Sequence, residues 1–236
     1  MEKKRKKRTV VLVVILVIVL AVSGYYIWKE MYSRAQEIKA FDKLHHLVDD
    51  GNGRNLALLM EQNSECIGWV CIPDTTLDYP VMHTPNKPQK YLRLSFEEKY
   101  SFSGVPFLDA RCSLDSDNLI IYGHNLKNDT MFSSLGGYVQ ASYSKKHPKI
   151  EFETVNGSAY YSVAIVAQID ETDEWYNFVD APNSNSFNDA IEALKQKAVY
   201  TTDVVPEFGQ QLLTLTTCYG SEKSDRLIVV AVKDSE

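Results

Sequence analysis

Residues Gln211 to Val232 read QLLTLTTCYGSEKSDRLIVVAV. Leu212 to Cys218 is rich in Leu and Thr, and Leu227 to Val232 is almost wholly aliphatic and β-branched. Both runs fit strands of a packed sheet. The polar run between them, Tyr219 to Asp225, has the composition of a turn. Paired antiparallel, the two runs place Cys218 opposite Arg226 across the mouth of a hairpin, where facing residues stand about 5 Å apart. A thiol beside a guanidinium suits acyl chemistry: the sulfur attacks a carbonyl and the cation steadies the oxyanion.

Working outward, short β-type runs recur at Ile67–Ile72, Leu77–Met82, Gly104–Leu108, Asn118–Tyr122, Lys149–Thr154 and Tyr160–Gln168. Pro73-Asp74 marks a turn, Pro80 an edge or bend, and Asn156-Gly157 a hairpin. Many short strands and turns make the body mainly β, a barrel or a sandwich. One connection is too long for a plain loop: some forty residues separate Ile169 from Gln211. Ser184 or Ser186 can cap a helix there that runs to about Ala198, with Phe187, Ile191, Leu194 and Ala198 on one face.

The amino-terminal quarter differs. Lys3, Lys4, Arg5, Lys6, Lys7 and Arg8 precede Thr9–Trp28, which carries no charge and is about long enough to cross a bilayer. Tyr25, Tyr26 and Trp28 suit an interfacial belt, and the basic flank predicts a cytoplasmic amino terminus with the body outside. A cleaved signal peptide is the rival, with Ala21-Val22-Ser23 as its site; span length and the aromatic end favour an uncleaved anchor. From Glu30 to about Asp50, Ile38, Phe41, Leu44 and Val48 recur at helical spacing until Gly51-Asn52-Gly53 stops the helix. A short helix over Asn55–Gln62 follows. The expected organisation is a basic tail (1–8), a membrane anchor (9–28), a helical stalk (29–63) and a β domain (64–236). The whole chain has a net charge of −6 although six of its 25 basic residues crowd the first eight positions, so the body is acidic and nucleic acid is an unsuitable partner.

Four cysteines, Cys66, Cys71, Cys112 and Cys218, allow two disulfides in an exported chain, and Cys66 and Cys71 are near enough in sequence to pair. A reactive thiol needs a base or a cation. Of five histidines, His124 is best placed, because it follows a buried-type run in LIIYGHN and so ends a strand as Cys218 does. His45 and His46 fall on a helix surface exposed to solvent, and His83 and His147 lie in loops beside prolines. Arg226 stays charged and offers a planar fork of donors. The backbone N–H of Tyr219 is a candidate second donor to an oxyanion. Singly, Cys218 reads better as an inert core thiol and Arg226 as a surface partner of Asp225; together the three strand ends point to one site.

Leu215-Thr216-Thr217-Cys218 followed by Arg226 resembles the signature of the sortases. Tyr122-Gly123-His124-Asn125, continuing to Met131-Phe132, resembles the histidine segment of class B members. Gly68-Trp69-Val70, Ile72-Pro73 and Asp78-Tyr79-Pro80-Val81 resemble the opening strands of that class, and the likeness runs from about Ile38 to Val232. An Asp-Pro-aromatic lid, usual in pilus-building class C enzymes, is not found. The resemblance implies a closed eight-stranded β-barrel with N-terminal helices and a helical insertion before the cysteine strand. It implies a transpeptidase in which Cys218 cleaves the sorting-signal peptide of secreted surface proteins through a thioester, resolved by an amine of the peptidoglycan precursor at the cell membrane. His124 would act as acid and base and Arg226 would hold the oxyanion; Leu92, Thr216, Thr217, Tyr219 and Ser221 would line the peptide groove. No cofactor is implied, and no carboxylate cluster has the spacing of a calcium or other metal site. Where class B enzymes carry an acidic residue after the cysteine, this chain has Tyr219 and Gly220. A peptidase that uses water, or a binding domain with a buried thiol, are the competing functions.

Overall fold

The two runs at the carboxyl end form adjacent antiparallel strands, β8 (Leu212–Cys218) and β9 (Asp225–Lys233), in register from Leu212 opposite Val232 to Cys218 opposite Arg226. They belong to a computed structural model that describes residues 2–48, 54–126 and 129–235. The other strands are β1 (Cys66–Cys71), β2 (Asp78–Met82), β3 (Phe107–Leu108), β4 (Asn118–Tyr122), β5 (Lys149–Thr154), β6 (Gly157–Asp170) and β7 (Ala198–Thr201). Around the sheet they run β5-β1-β2-β3-β4-β8-β9-β6, and β6 pairs back with β5, so eight strands close into a barrel. Closure pairs the two edge strands with each other and leaves open the part of β6 that runs past β5. Leu227 to Val232 are all buried, as expected of a strand covered on both faces.

Strand β7 pairs with β6 outside the ring. It was not expected. Ala198 continues the apolar spacing of the preceding helix and reads as its last turn. Instead helix α4 (Ser184–Lys195) stops, and Ala198 opens a strand that covers the free edge of β6. The cap also differs: Asn183, not a serine, accepts the Ser186 N–H. Phe187, Ile191 and Leu194 are buried as the spacing predicts. The β5–β6 hairpin forms with Thr154 opposite Gly157, so its two-residue loop is Val155-Asn156, one position earlier than expected, and Gly157 follows it at φ +114°. Of the Gly104–Leu108 run only Phe107 and Leu108 are strand. Pro80 sits in β2 beyond the reach of its second neighbour, because β2 meets β3 at Met82 alone.

All four cysteines are free thiols. Cys66 and Cys71 lie at opposite ends of β1. At about 3.3 Å per residue they are far beyond the 7 Å that a disulfide tolerates between Cα atoms.

One helix, α1 (Glu2–Val48), runs through both the apolar span and the expected stalk; its stop at 51–53 lies outside the described residues. The chain divides into two units between Lys43 and Leu44. In the first, Arg8–Lys29 is long and apolar enough to cross a membrane, and its side chains are exposed. Ile38 is exposed despite its helical spacing. In the second, Leu44 and Val48 are buried, as are Leu56 and Leu59 of α2 (Leu56–Gln62). His45 is not free in solvent as expected. Its ring meets Trp69 edge-on at 4.8 Å and its Nδ1 lies 3.5 Å from Asp78, while His46 is exposed.

Candidate active site

Successive side chains on a strand alternate faces, so Cys218 shares its face of β8 with Thr216 and Thr214. That face is covered by the segment Glu174–Asn177, a short 3-10 helix. Trp175 Nε1 donates to Thr214 Oγ1 (3.3 Å), and the Tyr176 and Thr216 hydroxyls bond at 2.8 Å. The other face carries Thr217, whose hydroxyl donates to Gly123 O (2.7 Å). Six residues of β8 are buried and the seventh, Cys218, is exposed where the strand leaves the barrel. The fold thus delivers one thiol to solvent from the end of a fully packed strand.

His124 arrives by a parallel neighbour. β4 runs beside β8 with Tyr122 level with Thr216, and the Gly123 N–H still donates to Thr216 O (3.1 Å). β4 ends at Tyr122, so His124 lies two residues past it, as Cys218 lies two residues past Thr216. Asn125 Nδ2 donates to Cys218 O (2.9 Å), and the Phe132 N–H donates to His124 O (2.9 Å), so the backbone is held on both sides of the ring. Gly123 is needed here: a Cβ would stand 2.5 Å from the buried Phe132 ring. His124 Nε2 lies 3.0 Å from Leu92 O. A carbonyl only accepts, so in the neutral ring Nε2 carries the proton and Nδ1 the lone pair. Burial pushes the imidazole below its usual range; the Leu92 carbonyl opposes that and the Arg93 charge adds to it.

Arg226 stands opposite Cys218 in the β8–β9 register. Its Nη1 donates to Lys223 O (2.7 Å) and Asp225 O (3.0 Å), and its Nη2 donates to the Glu171 carboxylate. The Tyr219 N–H is already committed to Asp225 O (3.1 Å), because antiparallel pairing continues one step past Cys218. It is therefore not the spare oxyanion donor that the sequence suggested.

Cys218, His124 and Arg226 line one cleft of about 750 Å³, with Leu92, Thr216 and Thr217. Leu92 ends the short helix Lys90–Leu92, which Tyr91 anchors: its buried ring carries a hydroxyl that donates to Glu65 (2.6 Å). Tyr219 and Ser221 are not among the lining residues. Tyr219 turns toward Gly136, and Ser221 sits on the exposed loop. The floor holds residues that sequence reasoning missed. Phe107, Tyr122 and Tyr176 stack in a row, with centroids 5.4 and 6.0 Å apart. Tyr122 donates to Asp109 (2.9 Å), which Arg111 also grips through Nε and Nη2. Burial would raise the Asp109 carboxyl, but Arg111 and the Tyr122 hydroxyl outweigh it and hold it below the usual range. The one available signal was position: Asp109 and Arg111 lie at a strand end, as Cys218 and His124 do.

A closed barrel with an exposed thiol, an imidazole and a guanidinium on one cleft has the make-up of a cysteine acyl-transfer enzyme. The family model of the sortase domain matches residues 70–234. Sortase B of Listeria monocytogenes is 31% identical over 68% of this chain and 65% of its own length; sortase B of Staphylococcus aureus is 32% identical over 72% of this chain and 70% of its own. The solved structure of a Staphylococcus aureus sortase B–substrate complex superposes with a TM-score of 0.77 at 28% identity, covering 86% of this chain and 98% of that one. The chain belongs to the sortase family of cysteine transpeptidases, in class B.

Proposed function

We propose that this chain is a membrane-anchored transpeptidase that joins secreted proteins to an amine of the peptidoglycan precursor. The observation that carries this reading is the shared cleft of Cys218, His124 and Arg226, in a chain whose relatives are sortases. The cleft is large enough for a peptide segment, and the solved relative is a substrate complex. Cys218 Sγ attacks the carbonyl carbon of a scissile bond near the carboxyl end of the client, in a sorting signal. The Cys218 thiol gives its proton to the His124 imidazole as the new S–C bond forms; the C–N bond then breaks, and the leaving nitrogen takes that proton from the His124 imidazolium. Arg226 donates to the oxyanion of each tetrahedral intermediate. An incoming amine then attacks the thioester, gives its proton to His124, and expels the sulfur. Leu92, Thr216 and Thr217 contact the peptide on the cleft wall.

Arg8–Lys29 supplies the anchor, and the basic residues before it favour a cytoplasmic amino terminus with the barrel outside. Tethering keeps the enzyme beside clients leaving the membrane and beside a lipid-linked acceptor, which raises the effective concentration of both. To test the reading, the full chain in detergent micelles is given a library of quenched peptides, with and without a small primary amine. Cleavage with an amide conjugate when amine is present is the expected result. Hydrolysis alone at every amine concentration would make the chain a peptidase instead.

A further inference from the structure

β6 ends at Asp170 and Glu171 follows it directly, two adjacent carboxylates next to the hairpin that carries the nucleophile. They are not equivalent. Asp170 accepts from the Thr172 hydroxyl (2.6 Å) and N–H (2.9 Å), and its carboxylate is also bonded by the Ser224 side chain and feels the Arg226 charge, but it makes no hydrogen bond to the guanidinium. Glu171 lines the cleft, and its carboxylate accepts from Arg226 Nη2. Its backbone is fixed as well, since the Glu171 N–H donates to Ser224 O (2.9 Å) just beyond the point where β6 and β9 stop pairing, at Asp170 and Asp225.

Arg226 has five N–H donors in a rigid fork. Both Nη1 hydrogens go to the carbonyls of Lys223 and Asp225, and one Nη2 hydrogen goes to Glu171. The Nε–H and the second Nη2 hydrogen remain for a ligand in the cleft. The carbonyls of Lys223 and Asp225, where the hairpin loop meets β9, hold one end of the fork, while Glu171, one residue past the end of β6, holds the other. Without Glu171 the guanidinium can pivot about Nη1. We propose that Glu171 is a positioning residue for acyl transfer: it fixes the Arg226 guanidinium across the cleft so that its remaining donors meet the oxyanion formed at Cys218. This rests on the transpeptidase reading above. As a half-exposed ion pair, Arg226–Glu171 adds little to stability; its effect is on the direction of donors that matter in the transition state.

The test uses the full chain in micelles and the quenched peptide that wild type cleaves fastest in a library screen. Glu171→Ala is expected to lower kcat about ten-fold with KM within two-fold, the pattern of a lost transition-state interaction. Glu171→Gln keeps an acceptor oxygen and is expected to stay within about three-fold of wild type. In an Arg226→Ala background, Glu171→Ala is expected to cost nothing further, because the group it positions is gone. Thermal midpoints and the rate of Cys218 modification by a methanethiosulfonate reagent are expected to match wild type in the single Glu171 variants. An unchanged kcat in Glu171→Ala overturns the proposal while leaving the transpeptidase reading intact, and so does an additive loss in the double variant. A wild-type chain that cleaves no peptide overturns both.

Discussion

Cys218 and Cys112 are both thiols near strand ends of one barrel, and their surroundings are opposite. Cys112 is buried, its Sγ lies 3.4 Å from Asn118 O, and burial pushes its pKa up to about 11. Cys66 and Cys71 lie within the barrel wall, and burial raises them to about 11 and about 12. Cys218 alone of the four is exposed, with Arg226 opposite it and His124 on the same cleft. Thiol chemistry therefore follows from where a strand ends rather than from the presence of cysteine. A buried thiol is a small apolar group; the same group one residue past a packed run is an available nucleophile.

The largest expected effect sharpens that contrast directly. Cys218→Ala should reduce peptide cleavage about 10⁴-fold or more, while stability stays within about 0.5 kcal/mol because the side chain is exposed. Cys112→Ala should do the reverse, costing about 1 kcal/mol in denaturant unfolding with activity retained. Equal losses of activity in the two variants would break the contrast.

Arg226→Ala comes next, with kcat lower by about 10² to 10³-fold and KM little changed, read from steady-state kinetics. A rise in KM alone would make Arg226 a ground-state binding residue rather than an oxyanion donor.

The smallest effect concerns pH. His124 titrates below its usual 6.5 because partial burial disfavours its charged form. As pH falls through 6.5 the unfolded chain takes up this proton first, so the contribution present above that pH is lost on acidification. Wild type should lose stability between pH 7 and 5, and His124→Gln should lose less, by about 1 kcal/mol or under. Midpoints of denaturant unfolding across that range provide the check.

Much of the barrel was legible because its strands carry local signals. The Leu-Thr run of β8 and the buried run of β4 matched their strands residue for residue, and the aliphatic run Leu227–Val232 fell inside β9, which extends to Asp225 and Lys233 and takes in the last residue of the expected turn. Cys218 and Arg226 were legible as a pair because a short hairpin fixes their register. What was illegible depends on partners distant in the chain. Ala198 fits a helical face until the open edge of β6 is present to pair with it. Tyr176 reaches Thr216 across forty residues, and Glu171 reaches Arg226 across 55, so no periodicity announces either. The Tyr219 N–H looked free in sequence because only the register shows that Asp225 takes it. His45 was read as solvated because its helix face gives no sign of Trp69 and Asp78 opposite.

Acyl transfer through Cys218 is tested most directly by acid-quenching the full chain seconds after mixing with its cleaved peptide and weighing the protein intact. A mass increase equal to the amino-terminal peptide fragment is expected, located on Cys218 by fragmentation, removed by added amine and absent in Cys218→Ala. Turnover without an adduct at any quench time, or an adduct that persists in Cys218→Ala, would contradict it.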